Sequence, residues 1–229
     1  MNDRIRAGLG RCAGAISIQE ARLEVEPVTL LRGSRGFPAD ALNDLGERAP
    51  AVITGLGNVE ILQTKKLGFF CSARCPGKLI LAVHDFCQEL KGQGVTVIGG
   101  FHSPVERECL NILLRGTGPI IICPARGLKG MRIPALVKVA MDQGRILYLS
   151  PFEDRQRRAT AKMAAYRNLF VAALVDSIFV GYAHPGSKTE ELCREARFWE
   201  KPVFGLDSDT SASLFGLGRG SVGANPSAK

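Results

Sequence analysis

From Lys66 onward, short apolar runs alternate with longer stretches in which apolar residues recur every third or fourth position. The runs at 67–71, 95–98, 119–123, 146–149, 178–182 and 202–206 read as buried strands. The stretch ending near Lys91 and those at 104–115, 132–143, 157–175 and 189–199 read as helices. Pro104 falls in a first turn, where proline is favoured. This alternation predicts one α/β domain: a doubly wound, mainly parallel sheet with helices on both faces and right-handed crossovers. Ligands of such sheets bind beyond the carboxyl ends of the strands, near the point where strand order reverses. The loops of interest are therefore 72–77, 99–104, 124–134, 151–155 and 183–190.

The chain before Lys66 is less regular. Residues 1–36 have weak periodicity and many Gly and Arg, and are expected to be mobile. A short helix is expected at 39–47, ended by Pro50. Gly55-Leu56-Gly57-Asn58 reads as a turn before a short apolar stretch at 59–62. The tail from 216 is rich in Gly, Ser and Pro and is expected to be disordered, which leaves 37–215 as the folded domain.

Composition narrows the chemistry. No apolar run approaches the roughly 18 to 20 residues that span a bilayer. The first twenty residues scatter Asp3, Arg4, Arg6, Arg11 and Glu20 among short apolar pieces, so no leader is expected and the chain is placed in the cytoplasm. The seven cysteines are odd in number and contain no Cys-x2-Cys pair, which argues against a disulfide framework or a structural zinc site. Cys87, Cys109, Cys123 and Cys193 fall at apolar positions, where a thiol acts as a small hydrophobe. Cys71 and Cys75, spaced Cys-x3-Cys, lack a second ligand pair, so no metal is expected. The net charge is +8, and the segment from Arg126 to Arg167 holds ten Lys or Arg against three acidic residues. Such concentration is an electrostatic footprint for phosphates, and nucleic acid is the commonest polyanion.

One loop focuses that charge. The strand at 178–182 leads into His184-Pro185-Gly186-Ser187-Lys188-Thr189-Glu190-Glu191, which opens the next helix. A strand, a glycine turn and a helix start direct free backbone N–H groups and a positive dipole end at one spot, which favours an anion. The stretch from Gly181 is one residue away from a P-loop, because Ser187 separates Gly186 from Lys188. Gly218-x-Gly220-x2-Gly223 matches a dinucleotide fingerprint by letters alone, with no strand before it and no helix after it. His102 and His184 lie in candidate loops and His84 within a helix, and none joins a nucleophile–base set. No catalytic residue and no cofactor is expected.

The order of these loops resembles the DNA-processing protein A (DprA/Smf) family. Phe37-Pro38 with Leu42, then Pro50, Gly57-Asn58 and a strand ending in Ser72-Ala73-Arg74, look like the start of that family's Rossmann-like core. The likeness continues in Gly144-Arg145-Ile146-Leu147, Ser150-Pro151-Phe152, Tyr166-Arg167-Asn168 and Gly186-Ser187-x-Thr189, over roughly 37–215. Departures are the loop Gly99-Gly100-Phe101-His102-Ser103-Pro104-Val105-Glu106, and Leu169 where the family has a second Arg. The family's winged-helix domain is also not found.

The resemblance implies a Rossmann-like domain that binds single-stranded DNA through backbone phosphates without covalent chemistry. It also implies a role in DNA uptake, natural transformation and recombination, a possible homodimer, and a RecA-type recombinase as partner. The positions expected to contact phosphate are Ser72, Arg74, Gly100, His102, Ser103, Arg126, Lys129, Arg167, Asn168, Gly186, Ser187, Lys188 and Thr189. The wider superfamily of Rossmann-like ligand-sensing domains (SLOG) includes the cytokinin-activating phosphoribohydrolases (LOG), whose Pro-Gly-Gly loop is similar to residues 185–191. That gives the alternative, an enzyme or sensor for a nucleotide-derived small molecule, with Glu190 and Arg167 or Arg126 as its acting pair.

Overall fold

The computed structural model describes residues 27–206. Most of the N-terminal segment expected to be mobile, and all of the tail from 216, lie outside them. Along the chain the strands are β1 (Val28–Leu31), β2 (Val52–Gly57), β3 (Lys66–Cys71), β4 (Thr96–Gly99), β5 (Ile120–Ile122), β6 (Ile146–Ser150), β7 (Ser177–Tyr182) and β8 (Val203–Gly205). The helices are α1 (Gly77–Leu90), α2 (Pro104–Leu114), α3 (Ala135–Asp142), α4 (Ala161–Leu174) and α5 (Lys188–Phe198).

All eight strands join one sheet in the order β1-β2-β6-β5-β4-β3-β7-β8. The six strands from β3 to β8 pair in parallel, while β1 and β2 extend the β6 edge antiparallel. From β3 the chain steps outward through β4 and β5 to β6, and α4 then carries it back to β7 on the other side of β3. Strand order thus reverses between β3 and β7, and the crevice of such a fold opens at their carboxyl ends.

The apolar runs are continuous because both faces of the sheet are covered. Neighbouring residues alternate between two cores. Phe70, Ile121, Leu147, Leu149, Ile178 and Val180 face the side of α4 and α5. Phe69, Ile120, Ile122, Tyr148 and Phe179 face the side of α1, α2 and α3. The second half of α4 is buried all round, from Phe170 to Leu174, because α4 lies between the sheet and a further layer formed by α5 and the 3-10 segment Asp40–Arg48. Hydroxyl side chains start three of the helices: Ser103, Thr160 and Ser187 accept from the N–H of Glu106, Met163 and Glu190 respectively.

The early chain departs from the sequence-based expectations. Val28–Leu31, inside the segment expected to be mobile, is paired with β2. Gly55-Leu56-Gly57, expected as part of a turn, belongs to β2. The reason is close approach: a Cβ on Gly57, whose φ is 113°, would strike the carbonyl of Ile146 on the neighbouring β6. The apolar stretch that follows is a 3-10 turn, Val59–Gln63, and the helix expected at 39–47 is also 3-10, broken at Gly46.

Candidate functional site

The loops after β3 and β7 meet at the switch point. Ser72 N–H donates to Tyr182 O (2.9 Å), and the Ser72 hydroxyl accepts from His184 N–H (3.1 Å). The hydroxyls of Ser72 and Ser187 lie 3.2 Å apart. Beside them the 186–189 turn starts α5, as its sequence predicts. Its backbone donors are partly occupied, however. Gly186 N–H donates to Glu190 Oε2 (2.6 Å) and Ser187 N–H to His184 O (3.0 Å). The N–H groups of Lys188 and Thr189, in the first turn, have no acceptor among the described residues. Lys188 shares its charge with Glu191 (2.7 Å), whereas Arg74 is exposed and makes no hydrogen bond or ion pair among the described residues.

A second group gathers where β4 and β5 end. Arg167, in the middle of α4, is only 5% exposed. Its Nη1 donates to Cys123 O (2.7 Å) and its Nε to Asn168 Oδ1 (2.8 Å). The guanidinium lies flush on the backbone of Gly100, where any Cβ would collide with it. Gly100 is therefore there to admit an arginine. Burial pushes the Arg167 pKa down, and the nearby Glu106 carboxylate opposes that shift. Arg167 makes no ion pair within 4.0 Å among the described residues. Its Nη2 is left without a partner among the described residues.

Ser103 and His102 follow Gly100, but their N–H groups are taken up by Glu106 Oε2 at 3.2 and 2.9 Å. The His102 side chain is exposed. Arg126 and Lys129 stand apart, on the loop after β5. Arg126 donates to Gly127 O (3.2 Å), and Gly127 N–H ties this loop to the 153–156 loop through Gln156 O (2.9 Å). Lys129 is exposed and makes no hydrogen bond or ion pair among the described residues.

Thus the expected positions form one group at the switch point and a second at the ends of β4 and β5, with Arg126 and Lys129 further along the same carboxyl edge. Glu106, absent from the positions expected to contact phosphate, sits among them. The signal for it was the Ser103-x2-Glu106 spacing of a capping box. Glu190, the acid of the alternative reading, is not among the groups acting on Arg167: it caps Gly186 and pairs with Arg194 (3.3 Å). A groove of about 540 Å³ between α1, α2 and α3, lined by Ile80, His84, Leu110 and Leu136 among others, touches neither switch-point loop. No group of three or more His, Cys, Asp or Glu suited to a metal ion occurs among the described residues, and none of their helices is long and apolar enough to cross a membrane.

Fold and edge together define a doubly wound, Rossmann-like α/β domain whose carboxyl edge presents hydroxyls, a helix start and a buried arginine. The chain belongs to the DNA recombination-mediator protein A family, whose pattern matches residues 29–215. Its fold is that of DNA processing protein A (DprA) from Streptococcus pneumoniae, at 19% identity and a TM-score of 0.67 over 83% of this chain and 68% of that one. It is likewise that of DNA processing protein A from Helicobacter pylori, a structure concerned with a single-stranded DNA binding mode, at 21% identity and a TM-score of 0.64 over 83% and 87%. No curated protein matches the sequence significantly.

Proposed function

We propose that this chain is a DNA-processing protein that binds single-stranded DNA by its phosphates, along the carboxyl edge from α5 across the switch point toward Arg126 and Lys129. The observation that carries the reading is Arg167: a desolvated guanidinium with no carboxylate in ion-pair reach and one nitrogen without a hydrogen-bond partner among the described residues. Taking a charge out of water costs several kcal/mol unless an anion compensates it, about as much as a structural role would have to repay. A backbone phosphate can supply that compensation through the open nitrogen. The hydroxyls of Ser72 and Ser187, the first-turn N–H groups of Lys188 and Thr189, and the unpaired Arg74 surround the same edge. Arg126 and Lys129 extend it toward the basic segment.

Family membership and the single-stranded DNA of the Helicobacter pylori relative support this reading over a nucleotide-cleaving one. So does the engagement of Glu190 with the Gly186 N–H and Arg194. On the same grounds we place the protein in the cytoplasm, in DNA uptake and recombination, with a RecA-type recombinase and a second copy of itself as partners. The test is direct binding of purified protein to an unstructured oligonucleotide, run beside an assay for base release from nucleoside monophosphates. Saturable binding without base release is expected. Base release without oligonucleotide binding would overturn the reading.

A further inference from the structure

Glu106 is the buried carboxylate at the third position of α2, 8% exposed. In an ordinary capping box such a side chain returns only to the backbone at the start of its own helix. Here Oε2 takes the N–H groups of His102 and Ser103, and Oε1 reaches across to the N–H of Cys71, the last residue of β3 (3.0 Å). One carboxylate therefore joins the loop that carries Ser72 and Arg74 to the loop that carries Gly100. Between Gly100 and His102, Phe101 holds φ 47°, a left-handed conformation uncommon for a bulky side chain. That kink belongs to the same loop whose next two N–H groups meet Glu106. No Lys or Arg pairs with Glu106 within 4.0 Å among the described residues. The carboxylate is occupied by backbone donors, so it braces the loop that carries Gly100 without capturing the guanidinium.

We propose that Glu106 is the positioning residue of this edge: it holds the β3 and β4 loops in register, so that Gly100 keeps its place against Arg167 and Nη2 stays open to a phosphodiester. The proposal rests on the reading of the edge as a single-stranded DNA site. In the test, full-length Glu106→Gln, Arg167→Ala and the double variant are titrated with a fluorescent oligothymidylate, and Tm is recorded on each preparation. Glutamine places an amide where backbone N–H groups need an acceptor. Glu106→Gln should weaken binding about tenfold, the size of one charge-assisted hydrogen bond. In the Arg167→Ala background it should add less than about twofold, because it acts through Arg167. Equal losses in both backgrounds overturn the proposal. So does near-normal affinity with a lowered Tm, which would leave Glu106 a purely structural role.

Should Glu106→Gln fail to fold, Glu106→Asp, which keeps the charge but shortens the reach, enters the same cycle. The Nε–H resonance of Arg167 supplies a readout without DNA. It should be slow to exchange in the wild type and should move toward that of free arginine in either Glu106 variant. If the wild type does not bind the oligonucleotide, the DNA reading falls, and this resonance alone decides the positioning role: a change upholds it and an unaltered signal overturns it.

Discussion

Arg167 makes two intramolecular hydrogen bonds, to Cys123 O and Asn168 Oδ1, and both depend on the guanidinium fork. Lysine keeps the charge but not the fork. Arg167→Lys should therefore lower oligonucleotide affinity by about tenfold or more. Losing a hydrogen bond worth about 1 kcal/mol should also lower Tm by roughly 2–4 °C. Melting and titration on the same preparation check both, and a stability loss with intact binding would remove Arg167 from the site. Gly100→Ala approaches the same contact from the other side. Its methyl lands on the guanidinium, so it should cost about 1–3 kcal/mol in chemical denaturation and impair binding as well. An unchanged protein would mean that the arginine swings clear at no cost. The cysteines give a third check. Burial pushes the Cys123 and Cys193 thiols up to about 12, and Cys75 is the described cysteine that is not fully buried. An alkylating reagent at neutral pH should modify Cys75 first, among the described cysteines, and reach Cys123 and Cys193 only on unfolding; mass spectrometry of digested protein reads the order.

At the scale of elements, the helices and strands after Lys66 were legible because each apolar run is covered on both faces and the helices other than α4 keep one apolar side. Their ends follow hydroxyl caps that can be seen in the sequence at Ser103, Thr160 and Ser187. What misled was glycine. Gly55 and Gly57 carry the letters of a turn, but Gly57 lies in a strand because a neighbouring carbonyl leaves no room for a Cβ, and such crowding is a tertiary fact. Strand β1 was equally hidden: Val28, Leu30 and Leu31 gain their meaning only from the antiparallel edge supplied by β2. In the candidate site, residue types were readable but hydrogen-bond allocation was not. Gly186, Ser187 and Ser103 are expected from sequence as donors, whereas the fold commits their N–H groups to Glu190, His184 and Glu106 respectively. Ser187 itself tests the cap. Ser187→Ala should cost about 1 kcal/mol, seen as a lower urea midpoint at unchanged slope. No loss would show that the contact with Ser72 and the turn hold α5 without it.

For the whole molecule, charge and shape act together. The chain carries +8 with aromatic residues at only 7%, so stacking platforms for bases are few and phosphates must supply most of the affinity. The logarithm of the binding constant should fall linearly with the logarithm of salt concentration, by about 0.7 for each phosphate neutralised on a single strand. Titrations at several salt concentrations measure that slope. A flat line would transfer the binding energy from phosphates to bases and discard the electrostatic edge.

The central strand pair has a consequence for synthesis. β3 ends at Cys71, and its partner β7 does not begin until Ser177, so the ribosome completes three further strands and four helices before the middle of the sheet can close. Until then β3 has β4 on one side and a bare hydrophobic edge on the other, the kind of edge that recruits foreign strands. The switch-point crevice does not exist in that nascent chain, because one of its two walls has yet to be made. A product terminated before Ser177 should therefore be insoluble rather than merely inactive, and the fraction recovered in the pellet after expression measures it.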